Sequence, residues 1–342
     1  MIKVITDFPV ALDSPDHIVP CGTMRINCIS VCKNEKKLLP YFLRHYGSFC
    51  DKITIYDGHS DDGSVEIIKA HPKTVLIQQD DGKATNEHVL TKIRNESWKS
   101  DRDYDWQIVV DLDEFLWHKD IRSLLEQYKR NNITVPRVQG VEMFSDTFPT
   151  EDKQIYDIIK LGKPYSITGS SLNFKVINQR TATENKSVIF SPSDITAMNY
   201  TVGSHFCCPT GVVRQSEKFD LKLLHYRFIG YEETVKRYKF TYNRLSEVNK
   251  LRGYGDHCER LANLNLMDYM AIGADMRDVI DTPIPEEVIA VPKAGTGRVR
   301  CLWRKDFASP VPVTPKKPAE VVAPKDPRFT HTLDILKNGG IR

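Results

Sequence analysis

Asp111, Asp113 and Glu114 stand at the end of a short apolar run, Ile108 to Val110, rich in β-branched residues. Such a run suits a buried strand. Residues two apart on an extended chain point to one side, so Asp111 and Asp113 can face the same small volume while Glu114 points away from it. Carboxylates crowded at the end of a buried strand repel one another unless a cation or hydrogen-bond donors neutralise them. Strand ends of this kind are where open α/β sheets bind ligands. The chemistry implied is a divalent cation holding a phosphorylated ligand. An acidic helix N-terminus accounts for the same residues without any ligand, so this stretch alone leaves both readings open.

Two further groups belong with it. Asn34 and Glu35 follow an earlier apolar stretch, and the loop Asp57-Gly-His-Ser-Asp-Asp-Gly-Ser64 follows another. An acid at a strand end can bond a ribose hydroxyl or a base N–H, and Gly58 and Gly63 let the backbone turn tightly. An ordinary βα turn capped by Ser60 or Asp62 would look the same. Finding all three groups after strands is what raises the site above its parts.

The elements that must position these residues run from Arg25 to Arg130. Ile26 to Cys32 reads as a first buried strand. A helix follows, with Leu38, Leu39, Phe42, Leu43 and Tyr46 on one face and Pro40 in its first turn. Ile53 to Tyr56 is a second strand, Val65 to Ala70 a short helix and Val75 to Gln78 a third strand. Asn86 to Trp98 is helical, with Val89, Leu90, Ile93 and Trp98 available for burial, and a helix from Lys119 to Arg130 follows the acids. This alternation predicts an α/β fold with a mainly parallel, doubly wound sheet.

From Val135 to Leu224 the pattern changes to short strand-like pieces, including 171–177 and 187–190, of α+β character. Glu232 to Val248 is predicted as one helix. Val235, Tyr238, Tyr242, Leu245 and Val248 form its apolar face, and Lys236, Arg237, Lys239 and Arg244 read as a solvated basic face. Beyond Ile284 the chain is Pro-rich, as in a linker, with a short helix expected at Leu333 to Leu336. The expected organisation is an irregular arm at 1–22, halves of one domain at 23–130 and 131–284, and a linker and tail at 285–342.

Composition narrows the classes. The 342 residues suffice to bury a core, and 40% hydrophobic with 27% charged content is that of a globular protein. A net charge of +3 gives no reason to expect nucleic acid. No apolar run is long enough to span a bilayer, and the acidic residues of the first twenty do not suit a signal peptide. Peripheral membrane contact and oligomeric state are left open. The eight cysteines form no CxxC pair, and Cys207 and Cys208 are adjacent, so reduced thiols and a cytoplasmic location are expected.

The chain resembles the GT-A-fold glycosyltransferases, in the branch related to glycosyltransferase family 2. The likeness lies in Lys33-Asn-Glu35, Leu39 to Tyr46, Ile53 to Ser64, Arg94-Asn95 and Trp106 to Leu116, which is similar to the family's DxD motif in the form D-x-D-E-F-L. Lys186 to Phe190, Gly203-Ser-His205 and Leu223 to Tyr226 also resemble that branch. The likeness covers roughly residues 25–250. It implies a metal-dependent transfer of sugar from a nucleotide-sugar donor, UDP-, GDP- or dTDP-linked, to a glycan, lipid-linked or protein acceptor. Asp57 would touch the nucleoside, Asn34 and Glu35 would line the nucleotide pocket, and Asp111 would contact ribose or a metal-bound water. Asp113 would hold Mn²⁺ or Mg²⁺ against the diphosphate. Arg94 and Lys186 would add positive charge at the leaving group, and His205 or His225 would complete the metal's ligands.

Two features depart from that pattern. Gly58-His59 follows Asp57 where the family has an acidic or amide residue. The acidic base of inverting members has its letters in Thr150-Glu151-Asp152, which comes early; Asp194 and Glu142 are the alternatives. A nucleotidyl or phosphoryl transferase, or a catalytically silent binding domain, would share the same acids.

Overall fold

The computed structural model describes residues 23–80, 84–165, 186–204, 207–251 and 253–282. The chain divides into two units, Met1–Gly295 and Thr296–Arg342, and every described residue belongs to the first. The expected arm at 1–22, the strand at 171–177, the Pro-rich tail with its helix, and His205 lie outside the described residues.

The first half alternates as its periodicity dictates: β1 (Ile26–Cys32), α1 (Leu39–Phe49), β2 (Lys52–Asp57), α2 (Ser64–Ala70), β3 (Thr74–Gln78), α3 (Glu87–Glu96) and β4 (Trp106–Val109). Pro40 sits in the first turn of α1, and Leu39, Phe42, Leu43 and Tyr46 are buried on its inner face. Asn86 caps α3 by accepting the His88 N–H. The strands stand in the order β3-β2-β1-β4, all parallel. Cys28 and Ile53 pack with α1, while Ile29 and Val109 join Trp98 and Phe190 in a separate cluster.

The second half then supplies β5 (Glu114–Trp117), α4 (Ile121–Arg130), β6 (Val138–Ser145), α5 (Ile155–Ile158), β7 (Leu161–Pro164), β8 (Ile189–Phe190), β9 (Ile195–Ala197), β10 (Thr210–Gly211), β11 (Leu221–Ile229), α6 (Tyr231–Asn243), α7 (Glu247–Leu251), α8 (Asp256–Ala262), α9 (Leu266–Gly273) and β12 (Arg277–Asp278). β8 adds to the first sheet antiparallel to β4. A second sheet has the order β12-β7-β6-β11-β5, and only its β6–β11 pair is parallel. The mainly parallel sheet expected of the first half is the first sheet, and the mixed second sheet has the α+β character expected after Val135.

The acidic stretch differs from the extended strand expected of it. β4 ends at Val109, Asp111 to Glu114 form a tight turn closed by the Glu114 N–H on the Asp111 carbonyl at 3.0 Å, and β5 leaves for the second sheet. The expected helix at 232–248 is two helices, because Leu245 bridges to Thr85 and breaks the run. Among the described cysteines, Cys28, Cys32, Cys50, Cys207 and Cys258 are free, whereas Cys208 is disulfide-bonded. That corrects the expectation of reduced thiols throughout: adjacency argues against a bond between Cys207 and Cys208, not against one to a distant cysteine.

β5 is an edge strand, paired only with β11, and α1 covers its open side. The Tyr46 hydroxyl donates to Glu114 O and accepts from Leu116 N, both at 2.9 Å. His45 Nε2 donates to Leu116 O at 3.0 Å, and burial lowers this imidazole to about 4, which keeps it neutral. Side chains thus replace the missing neighbour strand. Tyr46→Phe should destabilise the fold by about 1–3 kcal/mol, because it strands a buried N–H and a buried carbonyl. Urea denaturation of the two proteins checks this.

Candidate functional site

β1 lies at the centre of the first sheet. The chain leaves it through α1 to β2 on one side, and returns through α3 to β4 on the other. The strand order reverses between β1 and β4, which makes their carboxyl ends the topological switch point of the sheet. Asn34 and Glu35 follow β1, and Asp111 and Asp113 follow β4. Two of the groups picked out in the sequence therefore meet at the switch point, where open α/β sheets bind ligands.

Asp111 faces the α3 side. Arg94 Nη2 donates to its Oδ1 at 2.6 Å, and Lys186 Nζ lies 3.4 Å from its Oδ2. Lys186 also bonds Glu114 at 2.5 Å, and both side chains are almost fully buried, at 3% and 2% exposure. Glu114 in turn accepts the Asp111 N–H. The turn thus brings Glu114 into the same network as Asp111, where an extended strand would have sent it to the opposite face. Burial works to raise the Asp111 carboxyl, but Arg94 and then Lys186 outweigh it and hold it at about 2.

Asp113 faces α6 and β11. Arg237 Nη1 donates to its Oδ2 at 2.8 Å, and Arg237 Nε donates to Glu35 at 2.9 Å. One guanidinium therefore joins the residue after β1 to the turn after β4. His225 Nε2 donates to the same Asp113 oxygen at 3.3 Å, and its Nδ1 accepts from Arg227 at 3.3 Å. His225 and Arg227 share a face of β11, and Glu142 lies beside His225 in register on β6. Arg227 and the Tyr165 hydroxyl both contact Glu142. Against burial, Arg237 and His225 hold the Asp113 carboxyl well below the usual range. Burial and Arg227 lower His225, yet Asp113 and Glu142 leave it raised overall. Burial pushes Glu35 up, against the pull of Arg237.

The loop after β2 braces the loop after β1. Asp57 is fully buried and accepts from Ser60 N at 2.9 Å, Ser60 Oγ at 2.5 Å and Gln78 Nε2 at 3.2 Å. Its carboxylate is thus turned into its own loop. Asn34 and Asp61 bond each other twice, and Asn34 N donates to Ser60 Oγ. Asp62 accepts from Ser64 and from Lys36 N, joining the start of α2 to the start of α1. Asn95, next to Arg94, exchanges two hydrogen bonds with the Tyr200 backbone and fixes α3 against the segment after β9.

The base candidates fall elsewhere, apart from Glu142. Asp152 is 91% exposed and pairs with Arg44 towards the far end of α1. Glu151 is exposed and accepts its neighbour's N–H. Asp194 accepts from Ser191 and Ser193 in the turn between β8 and β9 and faces Arg214. None of these three bonds any member of the switch-point network. A cavity of about 600 Å³, lined by His118, Asp120, Gln127 and Lys218 among others, opens at the start of α4 and contains none of the switch-point residues.

The set expected to hold a metal was Asp111, Asp113, His205 and His225. Among the described residues, no three His, Cys, Asp or Glu side chains converge on one point. Both Asp111 oxygens and Asp113 Oδ2 face basic groups, and both ring nitrogens of His225 are hydrogen-bonded. A divalent cation does not fit this arrangement, because Arg237 and Lys186 already lie against the acids and would repel it. The repulsion between Asp111 and Asp113 that suggested a cation is real; the cations that relieve it are side chains. The sequence pattern puts Arg237 on a solvated basic face, whereas in the fold it is held by Glu35 and Asp113, partners remote in sequence. The local signal was slight: Glu233 and Arg237 lie one turn apart on α6 and contact Lys37 and Glu35, respectively.

No family model matches the chain, and no curated protein matches it. Among solved structures it is similar to S. aureus TarS 1–349 in complex with UDP, at 12% identity over 71% of this chain and 73% of that one, with a TM-score of 0.37. The free TarS 1–349 gives 11% identity over 73% and 81%, with a TM-score of 0.36. Mannosyl-3-phosphoglycerate synthase from Rubrobacter xylanophilus gives 10% identity over 37% and 44%, with a TM-score of 0.27. Against the longer S. aureus TarS, the chain spans 29% of that protein's length. TM-scores this low leave the site to be understood from its own contacts.

The Asp111 carboxyl predicts a definite acid response. Held at about 2, it lies below the ~3.9 of an unfolded Asp. Its stabilising contribution is full above that unfolded value and is lost as pH falls through about 2. Wild-type Tm should therefore fall across that window more steeply than the Tm of Asp111→Asn, which is less stable at neutral pH. Thermal melts in a pH series, followed by circular dichroism, give both curves; parallel curves would remove Asp111 as the source.

Proposed function

We propose that the chain is a GT-A-type glycosyltransferase that moves a sugar from a nucleoside-diphosphate donor to a glycan, lipid-linked or protein acceptor. The observation that carries this reading is the meeting of Asn34, Glu35, Asp111 and Asp113 at the β1/β4 switch point, where Arg94 and Lys186 pair with Asp111 and Arg237 joins Glu35 to Asp113. Crevices at such switch points take nucleotides. A nucleoside lies best against the polar rim of Asn34 and Asp61, whose loops brace one another. The diphosphate then points towards Arg237, Lys186 and Arg94.

Breaking the bond from the sugar's anomeric carbon to the diphosphate oxygen leaves that oxygen with growing negative charge. Fixed cations in a partly dehydrated site stabilise such charge without having to reorganise. Asp111, Asp113 and Glu35 set the positions of those cations, and Glu142 with Arg227 orients His225 against Asp113. In this reading the two halves of the domain, 23–130 and 131–284, divide the work. The first supplies the switch point, and the second supplies α6 and β11, whose side chains close over it.

The test is a donor screen. Incubation with UDP-, GDP- and dTDP-sugars, with and without Mn²⁺, should release nucleoside diphosphate from at least one donor. Release of pyrophosphate or nucleoside monophosphate would replace this reading with nucleotidyl or phosphoryl transfer. Donors left intact under every condition would leave a silent binding domain. Asp113→Asn should lower the release about 100-fold or more while the protein stays folded by circular dichroism.

A further inference from the structure

The misfit between a divalent cation and the acids of the turn carries an inference of its own, which rests on the reading of a nucleoside-diphosphate donor. We infer that Arg237 occupies the place a divalent cation would take, and that the protein binds its nucleoside diphosphate directly through Arg237, without a divalent metal ion. Asp113 and Glu35 are then positioning residues for a guanidinium.

The geometry supports this in three ways. First, Arg237 is held from two sides, by Nη1 on Asp113 at 2.8 Å and by Nε on Glu35 at 2.9 Å. These residues belong to the two strand ends that define the crevice, so the guanidinium spans its mouth. Second, the two bonds use two of the five N–H groups of a guanidinium, and the side chain remains 27% exposed. A planar fork with open donors matches the oxygens of a phosphate. Third, a second cation backs it. Lys186 is buried between Asp111 and Glu114, with Arg94 on the other oxygen of Asp111. Each acid of the turn therefore already has its countercharge, and a dication entering between them would have to expel at least one buried or half-buried base.

The α6 helix is suited to carry the group. Glu233, one turn before Arg237, pairs with Lys37 at the start of α1. That second contact fixes the helix against the loop after β1. Tyr238, the next residue after Arg237, is buried in the cluster formed by Phe144, Phe228, Leu261 and Tyr269. The guanidinium is therefore mounted on a packed helix and not on a loop, and its ordering does not have to be achieved on binding.

Isothermal titration of the full chain with UDP, GDP and dTDP, in excess EDTA and again in Mn²⁺, tests the inference independently of turnover. The nucleotide that binds should do so with the same affinity, within about threefold, in both conditions. Arg237→Gln should weaken it by about 10- to 100-fold, the loss of one charge-assisted pair. The corresponding nucleoside, which lacks phosphates, should bind wild type and variant alike. Nucleotide binding seen only with Mn²⁺ would overturn the inference and leave the proposed function standing. No binding of any of the three nucleotides in either condition would overturn both. The EDTA comparison uses the wild-type protein, so it decides metal independence even if Arg237→Gln does not fold, and Arg237→Lys, which keeps the charge but not the fork, then tests the guanidinium.

Discussion

The passage of the chain from one sheet to the other, at residues 110–113, is the constraint on which the structure turns. β4 belongs to the parallel sheet and β5 to the mixed one, so each sheet holds the passage at one end only: Val110 N donates to Ile29 O on β1, and Asp113 O accepts from Tyr226 N on β11. The sequence places Asp111 and Asp113 there and Glu114 immediately after, and Asp113 and Glu114 are buried. Carboxylates in such surroundings demand countercharge, since burial penalises the charged form steeply. Arg94 from α3, Lys186 from the segment before β8, Arg237 from α6 and His225 from β11 all converge on them. Elements far apart in sequence are thereby tied to one turn.

These ties cross the seams between apolar clusters. One cluster lies among β1, β2, α1 and the second sheet. Another surrounds Trp98 and Phe190, and a third lies among α6, α8 and α9. Apolar packing fixes each cluster internally, whereas charged pairs set how the α6 layer and the α3 layer meet the acidic turn. Ion pairs at a seam are directional and leave a buried charge when one partner is lost, while apolar contact is non-directional. That places the most charge-sensitive contacts of the molecule at the crevice where an anionic ligand would enter.

Much of this was legible in the sequence, and for identifiable reasons. The β-branched runs at Ile26–Cys32 and Lys52–Asp57 and the face of Leu39, Phe42, Leu43 and Tyr46 are local patterns, and local periodicity reports them faithfully. The strand-end rule then located Asn34, Glu35, Asp111 and Asp113 before any contact was known. The departure of β5 could not be read, because its four residues pair with β11, over a hundred positions later. Arg237 was hidden for the same reason: Glu35 and Asp113 are 202 and 124 residues away from it. A basic residue on a helix looks solvated until the fold supplies its acid. Glu114 was misjudged because the extended geometry assumed for it is replaced by a turn.

The loops at the rim show how such a site is kept ready. Asn34 and His59 both adopt positive φ, at 56° and 59°. Asn accepts that conformation readily, but for His it costs roughly 1–2 kcal/mol. Strain of this kind persists only where surrounding contacts over-determine it. They do so here, since Lys33 bonds the His59 carbonyl, Ser60 links Asn34 to Asp57, and Asp61 closes on Asn34 from both ends. The buried Asp57, read at first as a ligand contact, is therefore the anchor of the rim: its carboxylate holds Ser60, and Ser60 holds Asn34. A rim built in this way keeps its polar groups in place before any ligand arrives, and the cost of ordering them is already met in folding.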